Sequence, residues 1–360
     1  MKKPKYLKYG DIVGLVNPAG MLPERFKNQL VYTKQYLENA GFVVKDFIVY
    51  DDWKDPGHRA GAFIDAFSDE SVSAIFPICG SELIYKMISH IDFSEFAKYS
   101  PKIICGSSEL SALVVSVSEF GNMVSFFGPH LNFLNEKSSK RENHFSVGSF
   151  WNMLMWKQQG KKSLNRHEAH NFFTAPRDYG VNAVLRNIYF SSDRIREKKY
   201  KDNSYITLLE NSSITGTLLI SSIDSLLKLV SLGEGKIDFS GKILILDSLD
   251  QSFDSVFSSL VKLNNTTNVQ DAHGIIFGCV SERTDRIKKD FPEFSDQKEI
   301  FSFLKKCSAL FKDNIPFLYG LPIGHCAYKL TVPMGISVTI ETSSGVIILN
   351  EPPFSDLEKK

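Results

Sequence analysis

The chain has 360 residues, 43% of them hydrophobic and 23% charged, the balance of an ordinary globular protein long enough for two domains. Forty-two Lys and Arg stand against 41 Asp and Glu, for a net charge of +1, so no basic field points to nucleic acid or an anionic membrane. No apolar run is long enough to span a bilayer.

The basic start, MKKPKYLKYG, is interrupted by Asp11, and the apolar stretch after it is too short for a secretory signal. It reads as a first strand, and a cytoplasmic location is expected. Five cysteines, Cys79, Cys105, Cys279, Cys307 and Cys326, lie in or beside apolar segments without CxxC spacing. They are expected to be free buried thiols rather than metal ligands.

The first strand covers residues 11 to 17 and ends in Pro18-Ala19-Gly20. A helix is predicted from about Glu24 to Ala40, with Phe26, Leu30, Thr33 and Leu37 along one side, and Gly41 closes it. FVVKDFIVY gives a second strand. The segment from Asp65 to Ser71 leads to a third, Ala74-Ile75-Phe76; Pro77 to Ser81 is a turn, and a helix spans Glu82 to Ile88. Ile103-Ile104-Cys105 is a buried strand, followed by a helix on which Leu110, Leu113 and Val117 recur at helical spacing, and Met123 to Phe127 is a further strand. Strands alternating with helices predict a parallel sheet covered on both faces, with ligands at the strands' carboxyl ends. Pro18, Gly80 and Ser108 all fall at such ends.

From 136 to 180 the chain turns charged and polar around an aromatic segment, Trp151 to Trp156. Residues 1–160 are expected to form one domain, 161–185 a linker and 186–350 a second, mixed α/β domain. Its predicted strands are Leu218–Ile220, Lys242–Leu246, Gly274–Phe277, Val338–Glu341 and Val346–Leu349. Its predicted helices are Ser225–Val230, Ser252–Leu263 and Gln297–Phe311. The tail, PPFSDLEKK, is expected to fray.

Gly106-Ser107-Ser108 turns a buried strand sharply into a helix, the way a nucleophile elbow lifts a serine oxygen clear of a sheet. The alternative is that Ser107 or Ser108 merely caps the helix, with Glu109 in its first turn. A nucleophilic serine needs a base, an orienting acid and an oxyanion site. Among eight histidines, His58, His144, His167 and His170 sit in polar, loop-like contexts. His325 follows Gly324 on a tight turn at the end of an apolar stretch; it is a base candidate or a satisfied loop histidine. Asp247, closing the strand KILIL, is the acid candidate or a strand-ending turn residue, and Asp250 and Asp224 are weaker ones. Backbone N–H groups of the Cys79-Gly80-Ser81 turn are oxyanion donors or simply part of a strand-to-helix connection.

Taken together these segments resemble the LD-carboxypeptidase family of serine peptidases, and within it the microcin C self-immunity branch. The matching pieces, in order, are Gly10 to Val13 with Asn17-Pro18-Ala19, His58-Arg59-Ala60 before a helix, Gly80-Ser81, and Pro101-Lys102 with Gly106 to Leu113. Phe127-Gly128-Pro129, Phe239 to Leu244 leading to Asp247, and Gly324-His325 before Thr331 to Gly335 complete the series. The resemblance implies a Rossmann-like parallel-sheet N-terminal domain, a barrel-like mixed α/β C-terminal domain, a homodimer, and neither metal nor cofactor. It implies that Ser108 is the nucleophile, with Ser107 its minor rival, that His325 is the base, and that Asp247 stands where the family has Glu. Gly80 and Glu109 would give oxyanion N–H groups, and Ser81 and Phe127 would touch substrate. The substrate would be a small peptide-like molecule, either the L-to-D amide of a cell-wall tetrapeptide or the aminoacyl-nucleotide amide of a microcin-like antibiotic, with Trp151 and Trp156 either covering an adenine or packing a core.

Three departures accompany the resemblance. Pro77-Ile78 replaces a glycine pair before the oxyanion turn, and proline donates no N–H. Ile220-Ser221-Ser222-Ile223 replaces Gly-Gly-Asn-Leu, and Asp247 is one methylene shorter than Glu. These leave a binding protein with impaired catalysis as the alternative to an active hydrolase.

Overall fold

The computed structural model describes residues 1–20, 24–131, 141–156, 213–233, 236–249, 251–281, 297–311, 315–319, 321, 323–325, 329–341 and 346–357. Its elements in the N-terminal half are β1 (Ile12–Val16), α1 (Glu24–Asn39), β2 (Val43–Asp46), α2 (Pro56–Ser68), β3 (Val72–Pro77), α3 (Leu83–Ile88), β4 (Ile103–Gly106), α4 (Leu110–Glu119), β5 (Ser125–Phe127) and α5 (Arg141–Leu154). The C-terminal half adds β6 (Ser213–Ser222), α6 (Ile223–Leu232), β7 (Lys242–Leu249), α7 (Phe253–Thr266), β8 (Gly274–Ser281), α8 (Gln297–Ser308), β9 (Phe317–Tyr319), β10 (Val332–Met334), β11 (Ser337–Glu341) and β12 (Val346–Leu349). The expected linker, 161–185, lies outside the described residues, as do His167, His170, Cys326 and Asp250.

Two six-stranded sheets organise these elements. In the first the order is β10-β5-β4-β3-β1-β2, parallel except for β10, which pairs antiparallel with β5. This is a doubly wound sheet whose connections reverse direction between β1 and β3, which opens a crevice at their carboxyl ends. The second sheet runs β12-β11-β6-β7-β8-β9, with β6 to β9 parallel and β11 and β12 antiparallel. The two-part α/β architecture is therefore as expected.

β10 departs from a simple division of the chain. It follows the second sheet's parallel strands in sequence yet extends the first sheet, with Val332 opposite Phe127. The short strand β10 was not legible because Pro333 at its centre reads as a breaker; at a sheet edge proline is tolerated.

Several predicted boundaries shift for identifiable reasons. The strand expected over 42–50 stops at Asp46, whose carboxylate accepts from the Ile48 N–H at 2.9 Å. Beyond it the Asn17 side chain takes the place of a strand partner, accepting from Val49 N at 2.9 Å and donating to Val49 O at 3.0 Å. His58-Arg59-Ala60 lies inside α2 rather than before it, because Asp55 caps the helix by accepting from Gly57 and His58 N–H and Pro56 occupies the first turn. The C-terminal segment does not fray in its described part. Phe354 is fully buried and stacks on Phe126 with ring centroids 5.3 Å apart, and Ser355 N donates to Pro4 O at 2.9 Å. One aromatic side chain supplies enough apolar area to anchor a polar tail.

Trp151 is a packing residue: it stacks on Phe42 at 5.1 Å and donates its indole N–H to Tyr36 Oη at 2.8 Å. Cys79, Cys105 and Cys307 are free and buried, as expected. Burial pushes the Cys79 and Cys307 thiols up to about 12, because a thiolate loses its hydration there.

Candidate active site

Ser108 sits between β4 and α4 with φ +58°, a left-handed conformation that is strained for a side-chain-bearing residue. The turn is as sharp as it is because Gly106 has no side chain; a Cβ there would stand 2.8 Å from Leu110 Cβ. Ser108 is partly exposed, while Ser107 is buried at 6% exposure and uses its carbonyl to start the helix by accepting from Leu110 N at 3.2 Å. Of the two serines, Ser108 has the strained backbone and the greater exposure.

Asp247 lies near the carboxyl end of β7, where the register with β8 shifts between Leu246 and Ser248. Such a bulge re-aims a side chain, and this one turns the Asp247 carboxylate to His325: Nδ1 to Oδ2 is 2.5 Å. The carboxylate is fully buried and the imidazole side chain is 12% exposed. Gly324, with φ +94°, allows the approach, since a Cβ at that position would overlap the Asp247 side chain. The acid and base candidates, 78 residues apart in sequence, thus form a pair. With Asp247 accepting at Nδ1–H, Nε2 is the nitrogen left to take a proton.

Ser108 and this pair come from different sheets, joined by a cluster of serines. Ser225 Oγ donates to Ser108 O at 3.1 Å, Ser111 Oγ lies 3.0 Å from Ser221 Oγ, and Ser222 N donates to Ser111 Oγ at 3.3 Å. Ser222 is the register partner of Asp247 across β6 and β7. The elbow helix therefore docks one strand away from the acid. Ser221 and Ser222, departures from the family pattern, have a role in this docking that the sequence did not reveal. Ser111 and Ser225 were missed because serines on a helix carry no signal of their partner.

The structure contains no hydrogen bond between Ser108 and His325. Ser108 Oγ instead donates to Glu109 Oε2 at 2.8 Å. The N–H groups of Gly80 and Glu109 have no acceptor among the described residues, whereas Ile78 N donates to Val16 O at 3.0 Å. Ile78 is thus committed to the sheet, and Pro77 ends β3.

The two expected substrate-touching residues are otherwise engaged. Ser81 Oγ donates to Ala19 O at 2.9 Å and accepts from Leu83 N at 3.2 Å, pinning the loops after β1 and β3 together. Phe127 is 1% exposed, a core side chain in the middle of the β4-β5-β10 layer, and offers no surface to a ligand. Arg59 adds a clamp that the motif alone did not predict. Its buried guanidinium donates to Pro18 O and, at 3.1 Å, to Leu83 O, bracing the crevice from behind. Its pKa is lowered, chiefly because burial disfavours the charge.

Among the described residues no cluster of His, Cys, Asp and Glu has the arrangement of a metal site, and no helix is long and apolar enough to cross a membrane.

Comparison with known proteins agrees with this architecture. Residues 13–128 match the LD-carboxypeptidase N-terminal domain and residues 215–340 the LD-carboxypeptidase C-terminal domain. The chain is 22% identical over 358 residues to a probable murein peptide carboxypeptidase of Bacillus subtilis, covering 96% of this chain and 94% of that protein. It is 21% identical over 361 residues to the microcin C7 self-immunity protein MccF of Escherichia coli, with the same coverage. Its fold superposes on a structure of MccF in complex with aspartyl sulfamoyl adenosine with a TM-score of 0.71 at 18% identity, covering 99% of this chain and 100% of the other. With both domain models matched in order across the doubly wound sheet and the mixed sheet, this chain belongs to the LD-carboxypeptidase family.

Proposed function

We propose that the chain is a serine peptidase of the LD-carboxypeptidase type that hydrolyses an amide in a small peptide-like substrate. Ser108 Oγ attacks the carbonyl carbon while His325 Nε2 takes its proton. The same imidazolium then protonates the leaving amine, and water repeats the sequence on the acyl-enzyme. Asp247 holds the imidazole by its Nδ1–H and stabilises it when charged. The N–H groups of Gly80 and Glu109 hold the oxyanion, assisted by the positive end of α4. For proton transfer, Ser108 Oγ rotates from Glu109 towards His325.

The observation that carries this reading is the buried Asp247–His325 pair, because a carboxylate buried against one imidazole nitrogen leaves the other free to act as a base. Two substrate classes suit it: the L-to-D amide of a cell-wall tetrapeptide and the aminoacyl-nucleotide amide of a microcin-like antibiotic. The Phe127-Gly128-Pro129 motif does not separate them. A Cβ on Gly128 would stand 2.6 Å from Thr331 Oγ1, which accounts for that glycine by packing. The cytoplasmic location expected from the N-terminal sequence and the homodimer implied by the family resemblance belong to the same proposal.

A second reading, ligand sequestration without turnover, is favoured by one contact, the Ser108–Glu109 hydrogen bond that holds the nucleophile away from its base. Incubation with a muropeptide panel and with aspartyl sulfamoyl adenosine, read by mass spectrometry, separates the two. Hydrolysis that disappears in Ser108→Ala supports the peptidase. Tight binding with no product from the wild type supports sequestration.

A further inference from the structure

A chain of two side-chain hydrogen bonds reaches the elbow from outside it. Tyr85 Oη donates to Ser225 Oγ at 3.1 Å, and Ser225 Oγ donates to Ser108 O at 3.1 Å. Tyr85, on α3, and Ser225, in the first turn of α6, are both buried. Burial pushes the Tyr85 hydroxyl up to about 12, because a phenolate would lose its hydration there, so it stays a donor. With the Tyr85 proton on its oxygen, Ser225 has its own hydroxyl hydrogen left for the Ser108 carbonyl. Neither residue lies in the segments that carry the family resemblance.

The peptide joining Ser108 to Glu109 is trans and planar. Its C=O and N–H point in opposite directions, so a partner that fixes Ser108 O also fixes the direction of the Glu109 N–H. Ser111 N and Ser111 Oγ donate to Ser108 O as well, at 2.9 and 2.6 Å, but Ser111 lies on α4 and moves with the elbow. Ser225 is a donor from another element. The far end of the chain, Tyr85, stands five residues after Gly80, whose turn lies against the elbow: a Cβ on Gly80 would be 3.7 Å from Leu110 N.

We propose that Ser225 and Tyr85 are positioning residues that aim the Glu109 N–H at the developing oxyanion, Tyr85 acting through Ser225. This rests on the peptidase reading, with Ser108 the nucleophile and the Glu109 N–H an oxyanion donor. Ser225 holds the Ser108 carbonyl, so the peptide plane keeps its direction while charge builds on its other side. The same bond restrains the left-handed backbone of Ser108, at φ +58°, which is strained and persists only where its surroundings fix it. Tyr85 orients the Ser225 hydroxyl and ties that plane to α3, and so to the Gly80 turn. The two oxyanion donors, which come from different loops, are thereby set relative to one another.

The test measures kcat and KM on whichever of the muropeptides or aspartyl sulfamoyl adenosine the wild type hydrolyses. It also measures the rate at which a fluorophosphonate probe labels Ser108, a reaction that builds negative charge on an oxygen beside the serine whatever the natural substrate. Ser225→Ala is expected to lower kcat and the labelling rate by about tenfold, less than the loss of a whole oxyanion donor, with KM within about twofold. Tyr85→Phe, the milder change, is expected to lower both by about threefold, and the double variant to be no slower than Ser225→Ala. Calorimetric titration of aspartyl sulfamoyl adenosine into Ser108→Ala, with and without Ser225→Ala, is expected to give the same affinity, since no oxyanion forms. Unchanged rates in Ser225→Ala, a Tyr85→Phe loss that multiplies with it, or a parallel loss of KM and ground-state affinity overturns the inference and leaves the peptidase reading in place. A wild type that neither hydrolyses these compounds nor is labelled at Ser108 overturns the peptidase reading, and the inference with it.

Discussion

Glu119, the last residue of α4, and Lys242, the first residue of β7, form a largely buried ion pair 3.0 Å long. Ser108 lies eleven residues before Glu119, a rise of about 16 Å at helical pitch. Asp247 lies five residues after Lys242, also about 16 Å along a strand. One pair at the floor thus brings the elbow and the acid out at the same level, and the serine contacts fasten the upper end.

Breaking that pair from one side leaves a buried charge alone. Lys242→Met is expected to cost about 3 kcal/mol of stability, and Lys242→Met/Glu119→Leu to recover most of it, measured by denaturant unfolding. Burial raises the Glu119 pKa, Lys242 opposing it. The carboxyl is therefore most at ease when protonated, and its contribution is lost as pH rises above the ordinary glutamate range. The Lys242→Met deficit is expected to shrink as pH falls towards 4.5, the ordinary glutamate value.

On the proposed relay, removal of any one of Ser108, His325 or Asp247 is expected to lower kcat by about 10³-fold or more, and removal of two to cost little beyond one, as for residues that act as a unit. Steady-state kinetics on Ser108→Ala, His325→Gln, Asp247→Asn and the doubles checks this. Additive losses would mean that the residues do not form one relay.

Gly324→Ala tests the acid–base pair without substituting either member. The substitution strains a backbone at φ +94° and drives a methyl into Asp247. A loss of about 1–3 kcal/mol is expected, with activity falling further than stability because Asp247 is displaced from His325. Thermal unfolding and kinetics on the same preparation provide the two measurements.

His130, following β5, has its pKa pushed down to about 4, first by burial and then by the charges of Lys329 and His325. A histidine kept neutral in the fold but protonated at about 6.5 when unfolded supports stability fully above that value and loses it as pH falls through about 4. Unfolding free energy is expected to decline between those limits, and His130→Gln to flatten that decline. An unchanged slope in the variant would place the titration elsewhere.

Much of the molecule was written locally. Period-2 and period-3.6 patterns located β1, α1, β3, β4, α4 and most elements of the second sheet, because apolar spacing depends on near neighbours in the chain. Ser108 was legible for the same reason: Gly106, the buried strand before it and the apolar helix after it are consecutive. Asp247 and His325 were legible as residues at the ends of apolar segments.

Their meeting was decided only by the tertiary structure, since a hydrogen bond spanning 78 residues depends on where β7 bulges and where Gly324 turns. The placement of β10 in the first sheet, the burial of Phe127 and Phe354, and the use of Ser221, Ser222 and Ser225 to hold α4 follow the same rule. A side chain's role is set by what packs against it, and the linear order of residues does not carry that information. Local periodicity therefore determined the elements and the site candidates, while contacts between distant segments decided that Asp247 and His325 meet.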